Sequence, residues 1–338
     1  MRFNSPFRPD EIKIALIGGG TGSFTILSAL KNHTSQIAAL VNMADDGGST
    51  GVLRDELGAL PPGDVRQCLV ALSRSNEVRD LFNYRFESGS MKGHAFGNLF
   101  LSALEKMTGD FARGVKVASQ VLDIVGVVEP ITLTNIHLVM QNGAETVKGE
   151  FRIVETEFAR QRPKMWLEPT PEPNPVALEA IRLADMVVIA PGNLYSSLAP
   201  ALIVPGIGEA LAHSKALKVY VCNLMTKPGQ TDGFEVNDFA DEIERLAGRK
   251  FIDVVLYNTE KPSNDLVKRY AKDNERPVDF DKSKLAKCHY QATGYNLLSD
   301  AIWQGAKSDP IAGARTLIRH NSVAVAKALV EVYHRFRA

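Results

Sequence analysis

Several features that mark other protein classes are scarce in this sequence of 338 residues. It has three cysteines, Cys68, Cys222 and Cys288, which are widely spaced, odd in number and in no zinc-binding pattern. Such cysteine usage is typical of a reducing compartment. No apolar run is long enough to cross a bilayer, and the polar N-terminal segment lacks the apolar stretch of a secretory signal. We therefore expect a cytoplasmic protein without a membrane span.

An excess of charge is also missing, since 39 Lys and Arg residues are balanced by 39 Asp and Glu residues. This balance removes the usual electrostatic argument for binding nucleic acid or an anionic membrane. The sequence also has no serine nucleophile elbow and no kinase signature. A small molecule is therefore the expected partner, and the sequence is compatible with a homo-oligomer.

A glycine-rich turn organises the rest of the sequence. An apolar run at 12–17 predicts a buried strand, and helical spacing of apolar residues begins at Phe24. Glycine lets the backbone approach a ligand closely, and amides at a helix start favour an anion, most often phosphate. The predicted nucleotide-binding or phosphate-binding residues of this turn are Gly18, Gly19, Gly20, Thr21, Gly22 and Ser23.

The turn departs from two known phosphate-binding patterns. Ser23 stands where the dinucleotide fingerprint has its third glycine, and no Lys-Ser/Thr pair follows as in a P-loop. The alternative to phosphate binding is a tight strand-to-helix turn that binds nothing.

Alternation of apolar strands with helical stretches predicts an α/β, Rossmann-like, doubly wound fold with a mainly parallel sheet. The predicted strands are 12–17, 36–43, 186–190, 218–223 and 253–258. The predicted helices are 65–74, 78–86, 97–107, 111–124, 176–184, 237–246 and 321–336. Between 127 and 154 the apolar period shifts towards two, which predicts short antiparallel strands with a hairpin at Asn142-Gly143. We expect one domain, 1–338, with an inserted helical and small β cap at about 63–162.

Two acidic residues directly follow the second predicted strand, where ligands bind in open α/β sheets. Adjacent side chains in an extended segment point opposite ways. One of Asp45 and Asp46 is therefore expected to bind Mg²⁺ or a ligand hydroxyl, and the other to cap a turn. The following segment, 47–51, is expected to be flexible backbone. The alternative is a solvated turn, which an Asp-Gly pair favours.

Loops after later strands supply further polar residues. The segment 191–197 is expected to open a helix that suits a second phosphate or a ribose, the alternative being an ordinary N-cap by Ser196 or Ser197. The predicted ligand residues of these loops are Pro191, Gly192, Asn193, Tyr195, Ser196, Ser197, Asn223 and Thr226. Because carboxyl ends of parallel strands share one edge of the sheet, we expect these loops to converge on the glycine turn.

A second glycine-rich loop, 87–98, adds Lys92, His94 and Asn98 as candidate ligand or acceptor contacts. The alternative is a solvated lysine with a surface histidine. Near this loop in sequence, Asp64 is expected to cap a helix, and Arg66 is expected to be a solvated helix charge rather than a cleft residue.

Six motifs in fixed order resemble those of the CofD-like superfamily, most closely its YvcK branch, the gluconeogenesis factors. The motifs are 18–22 (GGGTG), 45–51 (DDGGSTG), 62–64 (PGD), 93–99 (GHAFGNL), 191–197 (PGNLYSS) and 228–233 (PGQTDG). The resemblance runs over residues 13–258. It implies a Rossmann-like core that binds a nucleotide. For the YvcK branch it implies a cytoplasmic UDP-sugar binder linked to cell shape, the cell wall and growth on gluconeogenic carbon sources.

The CofD branch implies a different activity, the transfer of 2-phospholactate from a guanylylated donor to a deazaflavin alcohol with Mg²⁺. In that branch the acidic pair and a basic residue contact the deazaflavin, which matches Asp45 or Asp46 and Lys92 here. The glycine-rich motifs have the form typical of the YvcK branch. A nucleotide-sugar-binding regulator, with GDP or NAD as other candidate ligands, and a phosphoryl-group transferase both stay open. No catalytic residue is assigned.

A dinucleotide-dependent oxidoreductase is the third hypothesis, prompted by the glycine turn alone. The position that should carry an acidic residue for the ribose holds Asn42, and the aspartates come slightly later. The sequence therefore disfavours this hypothesis.

Overall fold

A parallel sheet lies at the centre of the computed structural model, which describes residues 11–262, 274–299 and 318–337. The strands are β1 (Ile14–Gly18), β2 (Ile37–Val41), β3 (Val127–Pro130), β4 (His137–Asn142), β5 (Glu145–Lys148), β6 (Lys164–Glu168), β7 (Met186–Ile189), β8 (Leu217–Val221), β9 (Val254–Asn258) and β10 (Gln291–Tyr295). The central sheet has seven strands in the order β10-β9-β8-β7-β1-β2-β3. All neighbouring strands in it are parallel.

The inner strands are apolar because both faces of the sheet are covered. Every residue of β1, β2 and β7 is buried. Runs without alternation of polar and apolar residues are typical of parallel strands packed on two sides. The predicted α/β class is therefore confirmed, together with the five predicted strands, and β3 and β10 complete the two edges.

The helices are α1 (Gly20–Leu30), α2 (Gly48–Leu57), α3 (Gly63–Leu72), α4 (Asn76–Asn83), α5 (Phe96–Thr108), α6 (Phe111–Val121), α7 (Glu150–Glu155), α8 (Pro175–Leu183), α9 (Ala199–Leu202), α10 (Ile207–His213), α11 (Val236–Ala247), α12 (Lys282–Leu285) and α13 (Ser322–Arg337). A π-helical turn, Leu194–Leu198, precedes α9. Helix α1 packs on α3 and α13, whereas α10 packs on α8 and α11. Right-handed crossovers place these two groups on opposite faces of the sheet.

A second sheet of three antiparallel strands has the order β5-β4-β6. Asn142 pairs with Glu145, and Gly143 between them has a φ of +63°, so the predicted hairpin is confirmed. The predicted cap at about 63–162 differs from the structure in two ways. Strand β3 joins the central sheet beside β2, and β6 lies beyond residue 162. The alternating burial of β3 explains the difference, because an edge strand shows the same period of two as a small antiparallel sheet.

The order of the central strands reverses between β1 and β7. From β1 the chain proceeds to β2 and β3 on one side, and from β7 to β8, β9 and β10 on the other. Such a reversal leaves a crevice at the carboxyl ends of the two strands, where ligands bind in open α/β sheets. The glycine turn after β1 and the segment 191–197 after β7 therefore lie on either side of one crevice.

Across the described ranges, no single helix combines the length and the apolar composition needed to cross a membrane. One bent pair, Leu194–Leu202 with Ile207–His213, meets the requirement by length and composition, with a bend of 76°. The N-terminal segment was expected to lack the apolar stretch of a secretory signal. Most of that segment, residues 1–10, lies outside the described residues.

Candidate functional site

A cavity of about 570 Å³ occupies the crevice between β1 and β7. Loops from the glycine turn, the segment 45–50, the start of α3 and the ends of β7 and β8 line it. The predicted site residues among its lining are Gly19, Gly20, Thr21, Gly22, Asp45, Asn98, Pro191, Gly192, Asn193, Ser196, Ser197, Asn223 and Thr226. The loops expected to share one edge of the sheet are therefore brought together.

Other predicted site residues lie outside this lining. Gly18 and Ser23 are buried beneath the turn, where a β-carbon at position 18 would be 2.6 Å from Ser23 Oγ. Tyr195 is fully buried, and its ring packs against Phe158 with the centroids 4.9 Å apart. The fully buried Tyr195 therefore contributes to the core rather than to ligand contact.

Asp46 and Lys92 also lie outside the lining, and Asp46 has the capping role expected of one member of the acidic pair. The Asp46 carboxylate accepts hydrogen bonds from the amides of Glu150 (3.0 Å) and Phe151 (2.7 Å), so it caps α7. Lys92 is exposed and does not line the cavity. His94 lies just behind the lining, where its Nδ1 is 2.9 Å from Ser49 Oγ.

The glycine turn is shaped by two close approaches. A β-carbon at position 19 would be 2.2 Å from Asp64 Oδ2, and one at position 22 would be 1.7 Å from the carbonyl oxygen of Pro191. Gly20 has a φ of +57°, which favours glycine. Asp64 itself lies in the first turn of α3, whose N-cap is Pro62, so Asp64 does not cap α3; its carboxyl group accepts instead from the amide of Gly20 at the start of α1.

Among the described residues, four carboxyl groups line the cavity, those of Asp45, Asp64, Glu150 and Glu275. Burial raises the pKa of Asp64 to about 8, and the charge of Asp45 adds to this effect, whereas Arg66 opposes it. Burial also raises the pKa of Asp45, and it raises the pKa of Glu150 well above its usual range. At neutral pH a protonated Asp64 would donate a hydrogen bond, and the cavity would carry less negative charge than its composition indicates.

The predicted Mg²⁺ site is not assembled by side chains alone. Within the described ranges no group of three or more His, Cys, Asp or Glu side chains is placed to hold a metal ion. Both oxygens of Asp46 accept backbone hydrogen bonds, whereas Asp45 lines the cavity. A Mg²⁺ ion at this position would need further oxygen ligands from a bound phosphate.

Arg66 reaches the cavity, so its expected role as a solvated helix charge is wrong. It is 6% exposed, its Nε donates to Asn98 Oδ1 (2.8 Å), and its Nη1 donates to Asn83 Oδ1 (2.6 Å). Asn98 Nδ2 in turn donates to Ser49 Oγ (3.3 Å). Residues on nearly all sides of α3 are buried, so the helix has no solvated face on which Arg66 could lie.

The segment expected to be flexible after Asp45 is the start of α2. Arg54 of this helix is buried and donates to the carbonyl oxygens of Asp45 (3.0 Å) and Ile136 (2.6 Å) and to Asn135 Oδ1 (2.7 Å). These bonds join the Asp45 loop to the chain before β4. The wall of the cavity is therefore held by a buried guanidinium that no sequence motif indicated.

Asparagines hold the loops after β7 and β8. Asn193 Oδ1 accepts from the amides of Tyr195 (3.2 Å) and Ser196 (3.3 Å), so the N-cap is Asn193 rather than Ser196 or Ser197. Asn223 Nδ2 donates to the Gly192 carbonyl (2.7 Å). The serine side chains of this turn line the cavity, where Ser196 hydrogen-bonds the carboxyl group of Glu150.

The far wall of the cavity is apolar, formed by Leu224, Met225 and Ile318, with His320 beside them. His320 Nε2 is 3.0 Å from the carbonyl oxygen of Cys222, and burial lowers the pKa of His320 to about 4. The ring is therefore neutral at pH 7, and a donating Nε2–H leaves Nδ1 as an acceptor. His320 belongs to none of the sequence motifs described above.

Lys227 is the lysine of the lining and lies just after β8. Burial lowers its pKa, while the charges of Glu150, Glu275 and Glu155 oppose the shift. A partly desolvated ammonium group at the carboxyl edge of the sheet can neutralise a phosphate.

Comparison with known proteins places this geometry in a family. The family model for 2-phospho-L-lactate transferase CofD matches residues 14–298. The chain is 39% identical over 325 residues to the gluconeogenesis factor of Bacillus subtilis, covering 95% of this chain and 98% of the relative. It is 40% identical over 323 residues to the gluconeogenesis factor of Halalkalibacterium halodurans, covering 94% and 95%.

A crystal structure of a UPF0052-family protein from Bacillus halodurans has the same fold, with a TM-score of 0.85 and 38% sequence identity. The similarity covers 95% of this chain and 99% of that chain. The match therefore includes the glycine turn, the Asp45 loop and the turn after β7 together. The chain belongs to the CofD family, and its relatives include proteins named gluconeogenesis factors.

Proposed function

We propose that this protein binds a nucleotide sugar, with a UDP-sugar as the first candidate, in the cavity between β1 and β7. The observation that carries the proposal is the convergence of three phosphate-compatible features on one crevice. These are the glycine turn at the start of α1, the serine hydroxyls of the turn after β7, and Lys227 after β8.

The two ends of the cavity differ in chemistry, which supports a ligand with two unlike parts. One end has the apolar side chains of Leu224, Met225 and Ile318, which suit the flat face of a base. The opposite end has Ser49, Arg66 and Asn98, which suit the hydroxyl groups of a sugar. A nucleotide sugar has an aromatic base, a diphosphate and a hydroxylated ring in this order.

The proposed role is regulatory and cytoplasmic, in control of carbon metabolism, cell shape and the cell wall. The names of the relatives support the link to gluconeogenesis. The free thiols of all three cysteines fit a reducing compartment.

Calorimetry with UDP-N-acetylglucosamine, UDP-glucose, GDP and NAD tests the proposal. We expect heat with at least one UDP-sugar and a weaker response with GDP or NAD. Thr21→Phe would fill the cavity, whereas Thr146→Phe on exposed β5 is the matched control. Binding of neither UDP-sugar, or equal binding by Thr21→Phe, would contradict the proposal.

Mg²⁺ is proposed as a companion of the bound diphosphate. The carboxyl groups of Asp45, Asp64 and Glu150 lie beside the glycine turn. Any of them that is ionised would repel a bound diphosphate unless a cation lay between the two groups. Repeating the titration with EDTA in place of MgCl₂ should weaken binding. An affinity that does not depend on Mg²⁺ would remove the ion from the proposal.

The alternative is a CofD-type 2-phospho-L-lactate transferase or a related Mg²⁺-dependent transferase of phosphorus-containing groups. The family model supports it, and so does the raised pKa of Asp64, because a neutral carboxyl group beside a phosphate can move a proton. The exposed position of Lys92 and the capping role of Asp46 weigh against it. Incubation with a guanylylated phospholactate donor, Mg²⁺ and a deazaflavin alcohol, followed by chromatography, decides between the two functions.

A further inference from the structure

A second cavity, of about 640 Å³, lies at the opposite edge of the sheet from the proposed nucleotide site. The end of α1, the turn before β2, the start of α4 and the residue preceding Ile12 form its walls. Its polar lining includes Ser28, Asn32, Ser35 and Asn76. None of the sequence motifs and none of the proposed nucleotide contacts falls in this cavity.

Two cationic side chains, Lys31 and Arg79, meet in this cavity. Both are half-buried; burial lowers the pKa of Lys31, and the neighbouring charge of Arg79 lowers that pKa further. Lys31 Nζ donates to the Ser73 carbonyl (2.6 Å) at the end of α3. That bond explains the position of the lysine, since cations are favoured at helix C-termini. It does not explain the arginine beside it.

Arg79 has little of its own hydrogen-bonding capacity satisfied. Its Nε atom is buried without a partner among the described residues, and its Nη1 makes one long bond, 3.3 Å, to Asn76 Oδ1. A guanidinium group has five N–H donors in a planar fork that matches an oxyanion. The remaining Nη donors of this arginine are therefore available to a ligand.

Acidic side chains do not neutralise this pair. Among the described residues that line the cavity, the acidic one is Glu11. Its Oε2 accepts hydrogen bonds from the amide and the hydroxyl of Ser35. The third cation, Arg74, is exposed and pairs with Asp123 (3.4 Å). Lys31 and Arg79 thus both face one polar cavity. Among the described residues, neither of them forms an ion pair with a carboxylate.

We propose that this cavity binds the phosphate group of a small phosphorylated metabolite, held between Lys31 and Arg79. A phosphate would separate the two cations and accept the open donors of the arginine. The hydroxyl and amide side chains around them suit the hydroxylated remainder of a sugar phosphate, and the volume is sufficient for one such molecule. This site shares no lining residue with the proposed nucleotide cavity.

Calorimetry of the full chain with inorganic phosphate, glucose 6-phosphate and glucose tests this proposal. We expect both phosphate probes to bind and glucose to give no heat. Tighter binding of glucose 6-phosphate would identify a phosphate ester as the ligand, and equal binding would identify free phosphate.

The variant Lys31→Met/Arg79→Met should lose at least tenfold in affinity for both phosphate probes. Arg113→Met/Lys116→Met removes the same charge from exposed positions on α6 and should bind as the original protein does. Lys31→Arg/Arg79→Lys keeps both charges and should retain binding. If the double Met variant fails to fold, Arg79→Met alone, which breaks only a 3.3 Å bond, takes its place.

Titration of the same variants with UDP-N-acetylglucosamine separates the two sites. Loss of phosphate binding with unchanged UDP-sugar binding supports the second site whatever the outcome for the nucleotide cavity. Absence of phosphate binding, or equal phosphate affinity in the Lys31→Met/Arg79→Met variant, would overturn the inference.

Discussion

The carboxylate of Asp64 lies so close to Gly19 that a β-carbon at position 19 would be 2.2 Å from Asp64 Oδ2. This contact ties the start of α3 to the turn before α1 within the proposed nucleotide cavity. An acidic group therefore occupies part of the space that a glycine turn usually leaves to a ligand anion. The ionisation of Asp64 should accordingly affect both stability and binding.

Asp64→Asn should make the protein more stable in mildly alkaline solution. The pKa of Asp64 is raised to about 8 in the folded state, against about 3.9 in an unfolded chain. The folded state thus binds the extra proton between these values, and stability falls as the pH rises through them. The variant should lack this loss, which is on the order of 4 kcal/mol between pH 5 and pH 8. Urea unfolding at pH 5 and pH 8 measures it, with Asp80→Asn on exposed α4 as the control.

Gly22→Ala should be strongly destabilising although alanine favours helices. The new β-carbon would be 1.7 Å from the Pro191 carbonyl oxygen, so the backbone of one loop must move. We expect a loss of about 3 kcal/mol, larger than the gain of about 1 kcal/mol in helix propensity. Gly192→Ala, whose β-carbon would lie 3.4 Å from its nearest neighbour, should be close to neutral. Equal melting temperatures for the two variants would show that the turn can relax.

Lys227→Met should weaken binding of UDP-N-acetylglucosamine and leave binding of uridine nearly unchanged. The ammonium group lines the cavity and is partly desolvated, so its hydrogen bond to a phosphate would be stronger than at the surface. Losing such a charged hydrogen bond costs about 1.5–3 kcal/mol, or roughly ten- to hundredfold in affinity. Lys250→Met, on the exposed loop after α11, is the control. An equal loss for uridine and the UDP-sugar would place Lys227 away from the phosphates.

His320→Gln should reduce the sensitivity of the protein to acid. The pKa of His320 is lowered to about 4 in the folded state, below the ordinary value of 6.5. The unfolded chain therefore binds the proton more readily, and stability present above pH 6.5 is lost as the pH falls towards 4. We expect the variant to lose about 2 kcal/mol less than the original protein between pH 7 and pH 4.5. Chemical unfolding at both pH values measures this, and His213→Gln at an exposed position should show no such change.

The sequence predicts the central sheet well because parallel strands in such a fold are uninterrupted apolar runs. β1, β2 and β7 are recognisable for this reason, and the glycine turn after β1 identifies the carboxyl edge. β3 was instead assigned to the cap, because an edge strand with one half-exposed face alternates as an antiparallel strand does. Local periodicity does not reveal which sheet a short strand joins.

The candidate site is less fully predicted, since its composition depends on contacts between distant segments. Asp46 is adjacent to Asp45 and has the same side chain, but it caps a helix that begins 104 residues later. Glu150 and His320 reach the cavity from segments without glycine motifs. Arg66 was predicted to be solvated because charged residues on helices usually are, whereas its helix is almost entirely buried.

Helix α1 begins at the glycine turn and ends one residue before Lys31, so it has the proposed nucleotide cavity at one end and the second cavity at the other. Its 11 residues form a rod about 16 Å long that is packed between α3 and α13. A rigid element of this kind cannot shift along its axis at one end alone. Occupancy of either cavity that displaces the rod would therefore change affinity at the other, and by thermodynamic reciprocity the effect would be equal in both directions.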